Sequence, residues 1–165
     1  MEIVELDVER VRAHADGLAR LLLDAHASNM ALGLAAPLTQ ERAAAEWERL
    51  VRSRILYAAL EDGEVVGAGG LAVGAAENGR HRGEIQRLAV RADRRGAGVG
   101  GALLDTLVAR ARDEGLALLW LTTHADTASD AFYSRRGWTR YGVVPRWSQR
   151  PDGETVANAF FFLEL

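Results

Sequence analysis

The chain has 165 residues, 48% hydrophobic and 26% charged, which suits one domain with its own core and is too short for two ordinary ones. Its formal net charge of −3 offers nucleic acid no general attraction, and no apolar run nears the roughly 20 residues that would span a membrane. With no cysteine, and all 20 basic residues arginine, the sequence excludes disulfides, thiolate metal sites, a cysteine nucleophile, the P-loop lysine and lysine Schiff bases.

The N-terminus, MEIVELDVERVR, is acidic and amphipathic rather than basic and then apolar, so a cytoplasmic protein without an export signal is expected. Ile3 to Leu6 alternates like a short edge strand, and apolar residues from Val8 to Ala25 recur at helical spacing, predicting a helix to about His26. Ser28 to Pro37 is small and loop-like. Thr39 suits an N-cap, with Arg42 rather than Glu at the capping-box position, for a helix that continues through Ala43 to Val51 and carries Trp47. Arg54 to Leu60, a turn at 61–64 and Val65 to Val73 read as a hairpin in which Gly67, Gly69 and Gly70 permit close packing.

A polar loop from Ala75 to Arg82 leads to a strand, Glu84 to Val90. Its apolar phase flips partway: Ile85 shares a face with Arg87 and Ala89, while Leu88 and Val90 lie on the other. One extra residue near Gln86 or Arg87, a β-bulge, would restore the phase. A basic turn, Arg91 to Arg95, follows, and then Gly96, Gly98 and Gly100 directly before a helix striped by Val99, Leu103, Leu104, Leu107, Val108 and Ala111 and ended at Gly115. Glycines allow close approach of backbone to ligand, and a helix's first N–H groups favour phosphate, so this stretch is built to hold an anion.

Leu116 to Leu121 is a nearly continuous apolar run, predicting a strand buried on both faces and parallel to Glu84–Val90. Ala128 to Arg136 is a short helix ended by Gly137. Trp138 to Val144 and Val156 to Leu165 are two last strands, joined by a Pro145 to Asp152 loop and a Pro-Asp-Gly turn at 151–153. The expected fold class is α/β (α+β): one domain over residues 1–165, with a mixed central sheet of about seven strands and about four helices.

Two families fit the glycine loop. Gly96-x-Gly98-x-x-Gly101 satisfies the dinucleotide fingerprint, yet five residues separate it from the strand, and only about one further helix-length pattern follows, where a doubly wound domain needs more. Arg95-Gly96-Ala97-Gly98-Val99-Gly100 resembles the R/Q-x-x-G-x-G/A motif of the GNAT superfamily of N-acetyltransferases, and the flanking EIQRLAV and GALLDTLV are similar to it too. The order of elements is similar to the whole GNAT fold. Within it, LLLDAHASNMALGLAAPL, GEIQRLAV and DAFYSRRGWTRYGVVPRWSQRPDG look most like the tabtoxin-resistance acetyltransferases.

That resemblance implies transfer of an acetyl group from acetyl-CoA to the primary amine of a small, amino-acid-like acceptor, directly and within a ternary complex, with antibiotic or toxin resistance as a role. It implies that Arg95, Gly96, Ala97, Gly98, Val99 and Gly100 wrap the coenzyme pyrophosphate, and that backbone N–H groups of Leu88, Ala89 and Val90 polarise the acetyl carbonyl and pair with the pantetheine arm. Asp126 and Ser129 match positions that relatives place close to the coenzyme. Thr122 stands where tabtoxin-resistance relatives have an aspartate. A CoA- or dinucleotide-binding module without turnover, and an acetyltransferase for protein or peptide amines, are the alternatives.

The chemistry needs a neutral amine, a polarised carbonyl and a proton for the departing thiolate. Glu84, at the start of the central strand, can take the ammonium proton, and Tyr133, where the GNAT pattern places a tyrosine near the coenzyme sulfur, can protonate or stabilise the thiolate. A surface glutamate and a packing tyrosine are the plain structural alternatives. Trp47, Tyr141, Arg146 and Trp147 suit a compact acceptor pocket with a positive group for a carboxylate, or else a core or a homodimer interface. The four histidines lack metal-ligand spacing, so no metal is expected. The expected partner is a small-molecule amine, with no nucleic acid and no membrane.

Overall fold

Among the residues described by this computed structural model, 1–30, 32–34 and 37–165, seven strands form one mixed sheet that carries five α-helices. In chain order they are β1 (Glu2–Leu6), α1 (Val8–Ala13), α2 (Ala15–Ala27), α3 (Gln40–Leu50), β2 (Ile55–Glu61), β3 (Glu64–Val73), β4 (Arg82–Val90), α4 (Val99–Asp113), β5 (Leu118–His124), α5 (Ala128–Arg135), β6 (Thr139–Gln149) and β7 (Thr155–Glu164). The spatial order is β1-β2-β3-β4-β5-β7-β6, antiparallel at every pair except β4 with β5. The expected single α/β domain is present, with one helix more than expected. Of the predicted loop at 28–37, Ala31, Ala35 and Ala36 lie outside the described residues.

Each face of the sheet has its own core. On one, Leu18, Leu21 and Leu22 of α2 and Trp47 and Leu50 of α3 pack over Leu56, Ala58, Val65 and Ala68. On the other, Leu104, Leu107 and Ala111 of α4 pack with Leu71, Ile85, Leu119, Leu121 and Phe161. Local chemistry sets the helix starts: Asp7 Oδ1 accepts from the Arg10 N–H at 2.8 Å, and Thr39 Oγ1 accepts from the Arg42 N–H at 3.2 Å, as its N-cap reading requires.

Three expectations are corrected. The first helix breaks at His14, whose ψ of 19° leaves the helical region; Val11 and Leu18 are seven residues apart and keep one apolar face, so periodicity alone cannot register the break. β5 is buried on one face only: Leu119 and Leu121 are in the core, whereas Trp120 and Thr122 are half-exposed on the opposite face. The predicted Pro145–Asp152 loop is largely strand, because β6 runs on to Gln149 and absorbs the irregularity as a register shift between Val144 and Ser148, with Arg146 at φ 53°.

Gly67 shows why β3 is rich in glycine. A Cβ there would stand 2.9 Å from both Leu103 Cδ1 and Val99 Cγ1, so α4 lies directly on the bare strand. Gly67→Val is expected to lower stability by about 1–3 kcal/mol through overpacking, read as a lower urea midpoint at unchanged m-value.

Candidate active site

β4 and β5 pair over only three steps, Arg82 with Leu118, Gly83 with Leu119 and Glu84 with Trp120. Beyond Glu84 the strands part, and a cleft of about 1790 Å³ opens between them. In β4 the register with β3 passes from Gly70–Gln86 to Ala68–Ala89, so Gly69 alone faces Arg87 and Leu88. This is the expected bulge, and Arg87 sits in it at φ 55°. A left-handed conformation costs a non-glycine residue roughly 1–2 kcal/mol. The ion pair from Arg87 to Glu46 of α3, 2.8 Å with both side chains mostly buried, holds the bulge in place. Leu88, Ala89 and Val90 line the cleft just past it.

The glycine loop forms the next wall. Gly96 and Gly98 have φ of 81° and 89°, Gly98 is the N-cap of α4, and a Cβ on either would meet nothing within 4 Å. Both line the cleft, as do Gly100, Arg94 and Arg95. Arg94 is tied to Glu61 at 2.8 Å, whereas Arg95 donates to the Val90 carbonyl and to Ser28 Oγ, each at 3.3 Å, and forms no ion pair among the described residues. Val99 is 1% exposed, so its side chain belongs to the core and only its backbone can serve a ligand. Ala97 is not among the lining residues.

Glu84 sits where the strands separate, half-buried. Its Oε2 accepts from Gln86 Nε2 at 2.7 Å, and Gln86 Oε1 accepts from Arg54 Nε at 3.1 Å. Burial raises the Glu84 carboxyl above the ordinary carboxylate range, opposed by the Gln86 hydrogen bond and by the charges of Arg54 and Arg87. A carboxylate in this setting takes a proton more readily than a free glutamate does. Tyr133 is 8% exposed, its ring edge-on to Phe132 and Trp138 and tilted against Phe161. Burial pushes its phenol far up, so it stays protonated. Its hydroxyl makes no hydrogen bond to another described residue, and the side chain lines the cleft.

The other expected site residues scatter. Ser129 and Trp147 line the cleft, Trp147 edge-on to Phe160 with centroids 4.9 Å apart. Trp47 does not: it is fully buried, and its indole donates to the Leu18 carbonyl at 2.8 Å, which makes it the pin between α2 and α3. Tyr141 and Arg146 are exposed on β6 outside the lining, because the extended strand carries them along its edge. Asp126 also lies outside it, paired with Arg140 at 3.3 Å.

The sequence reading missed Arg54, Gln86 and Asn158. Gln86 was legible, since residues two apart on a strand share a face with Glu84. Asn158 of β7 donates to Thr122 Oγ1 at 3.0 Å, and Thr122 donates to the Ala159 carbonyl at 3.2 Å; the Asn158 Oδ1 is buried without a partner at the cleft wall. Across the mouth, Asn29 donates to Asp152 and ties the loop after α2 to the turn between β6 and β7. Among the charged side chains lining the cleft, eight are arginine and one, Glu84, is a carboxylate.

A family model described as the acetyltransferase (GNAT) family matches residues 22–138. The chain belongs to that family. Members use acetyl-CoA, and the protein is an acyl-transferring enzyme with N-acetyltransferase activity of the GNAT kind. Solved structures agree in fold over the full length. A ribosomal-protein-alanine N-acetyltransferase from Brucella melitensis superposes with a TM-score of 0.83 at 24% identity, covering 100% of both chains. An aminoglycoside 6′-acetyltransferase type Ii gives 0.76 at 22%, covering 99% of this chain and 97% of that one. A protein described as a phosphinothricin N-acetyltransferase gives 0.80 at 19%, covering 99% of both. The single parallel pair in an otherwise antiparallel sheet also rules out a doubly wound dinucleotide domain. Among the described residues no helix is long and apolar enough to cross a membrane.

Open space at Gly98 makes the loop testable. Gly98→Glu places a side chain and a negative charge in the cleft beside Arg95, and acetyl-CoA should cease to bind measurably while the fold persists at a cost of about 1–2 kcal/mol for the left-handed backbone. Calorimetric titration of the folded variant checks this, and unchanged affinity would place the phosphates elsewhere.

Proposed function

We propose that this acetyltransferase moves the acetyl group of acetyl-CoA to the primary amine of a small, amino-acid-like acceptor by direct transfer within a ternary complex. The charge of the cleft carries this reading: eight arginines suit the coenzyme phosphates and an anionic acceptor, and the lone carboxylate stands where the strands part. An aminoglycoside or basic protein tail is ordinarily steered by clustered carboxylates, which the cleft lining lacks. Cytoplasmic inactivation of an amine-bearing antibiotic or toxin, as in the tabtoxin-resistance enzymes, is the role this suggests.

The residues divide the work as follows. Gly96, Gly98 and the first N–H groups of α4 receive the pyrophosphate, with Arg95 beside them. Backbone N–H groups past the Arg87 bulge, from Leu88 to Val90, face the acetyl carbonyl and favour charge developing on its oxygen. Glu84 takes one proton from the acceptor ammonium. The neutral amine forms the C–N bond, the C–S bond breaks, and the thiolate takes the Tyr133 proton. The second amine proton returns through solvent to the phenolate, and Glu84 releases its own to give free thiol, amide and one proton.

Glu84→Gln should lower kcat/KM by about 10²–10⁴-fold, the usual worth of a general base. In the native enzyme kcat/KM should fall as pH drops through a value above the ordinary carboxylate range, because burial makes Glu84 hold its proton to higher pH; the variant should lose that limb. Tyr133→Phe should lower kcat with the acetyl-CoA KM and melting temperature nearly unchanged, since the hydroxyl has no partner among the described residues. Thiol-release kinetics from pH 5 to 9 test both, and losses below about threefold would remove both residues from the chemistry. A screen of free amino acids, β-lactam dipeptide-like amines, aminoglycosides, polyamines and basic peptides tests the acceptor class.

A further inference from the structure

Glu84 faces two concavities. Besides the large cleft it lines a smaller one of about 270 Å³, together with Arg54, Arg82, Gln86 and Trp120, closed behind by Ala72 to Ala75 at the end of β3. Arg54, Glu84 and Gln86 line both, so the two adjoin at the carboxylate. The small cavity lies at the paired end of β4 and β5, on the sheet face that carries Trp120, which no α-helix core covers there. The volume suits one amino-acid-sized molecule and excludes a folded polymer.

Its charges are arranged as a dipole. Glu84 is the one carboxylate, and Arg54 and Arg82 are the cations. Arg54 is half-buried and fixed, donating through Nε to Gln86 and through Nη1 to the Ser53 carbonyl at 2.9 Å, which leaves its Nη2 without a partner among the described residues. The Arg82 side chain is exposed and forms no hydrogen bond or ion pair among the described residues, and its guanidinium passes over Gly79, where a Cβ would stand 3.4–3.5 Å from Nε and Nη2. A guanidinium at the cavity rim with its donors unspent can turn them to an anion. Between the charges, Trp120, Ala72 and Val73 offer an apolar wall.

We infer that this cavity is the acceptor subsite and that it takes a zwitterion: an amine beside Glu84, a carboxylate or phosphinate one to three bonds away held by Arg54 and Arg82, and a small apolar side chain against Trp120. This rests on the acetyl-transfer reading above and narrows its acceptor class. The anionic group supplies binding energy that the reacting amine cannot, and it fixes the amine at the mouth of the large cleft, where the acetyl carbonyl is presented. A polycation meets two arginines there and is rejected. Arg146, which the sequence offers for the acceptor carboxylate, does not line this cavity.

The test compares leucine, methionine and phenylalanine with their carboxamides and with isoamylamine in thiol release, together with spermidine, an aminoglycoside and a basic peptide. The free acids should exceed the carboxamides in kcat/KM by about 10–100-fold, the worth of charge-assisted hydrogen bonds, mostly through KM. In Arg82→Gln this preference should fall toward unity, because the free acids lose far more than the carboxamides do, with the acetyl-CoA KM and the melting temperature unchanged. Equal use of acid and carboxamide by the native enzyme, or a folded Arg82→Gln that keeps the preference, overturns the subsite and leaves small-amine acetylation standing. Turnover of only the peptide, spermidine or the aminoglycoside overturns the small-acceptor reading itself, and this inference with it. Should Arg82→Gln fail to fold, the comparison of acid with carboxamide in the native enzyme decides alone.

Discussion

The parting of β4 from β5 after the Glu84–Trp120 pair is the constraint on which the rest depends. A parallel pair needs a crossover, and here α4 supplies it, so the helix that follows the glycine loop also fixes how the two strands lie. Once the strands diverge, β4 has no partner strand on that side, and its backbone groups are available to a ligand rather than to a ladder. The Arg87 bulge turns the strand at that point, and glycines in β3 let α4 sit close enough to bring loop and bulge to one cleft. Separation, bulge and glycine loop are therefore one construction.

Placing a carboxylate in the crotch of such a divergence has opposing consequences. Removal from water raises the proton affinity of Glu84, while the Gln86 amide and two arginines lower it, and burial is the largest of these effects. The Arg54–Gln86–Glu84 chain of hydrogen bonds also limits which way the carboxylate can turn. Tyr133 has no comparable support: its ring is locked by three aromatic neighbours, yet its hydroxyl is left for a ligand. One group is tuned by polar neighbours and the other by their absence.

Most of the architecture was legible because it rests on local rules. The N-cap at Thr39, the glycine stops at Gly115 and Gly137, the phase flip in β4 and the stripe of α4 each follow from a few residues. The misreadings share a cause in tertiary context. Trp47 looked like a pocket aromatic because composition does not reveal that its indole would reach the Leu18 carbonyl. Leu116–Leu121 looked buried on both faces because Trp120, though apolar, lies where no helix covers the sheet. Arg146 looked like an anion anchor until β6 ran past the expected loop and carried it to the edge. Arg54 and Arg82 went unmarked, for only the sheet brings residues 28 apart in sequence to one cavity with Glu84.

The arginine lining of the cleft has a chemical corollary. A thioester is an acylating agent, and the side chains most prone to capture its acyl group are lysine amines and cysteine thiolates, neither of which occurs anywhere in the chain. Guanidinium keeps its proton at every physiological pH, so the cations lining the cleft carry constant charge and offer an acyl donor no nucleophile. The enzyme can keep a reactive acyl group waiting against a dense positive surface without that surface being acylated and its charge erased.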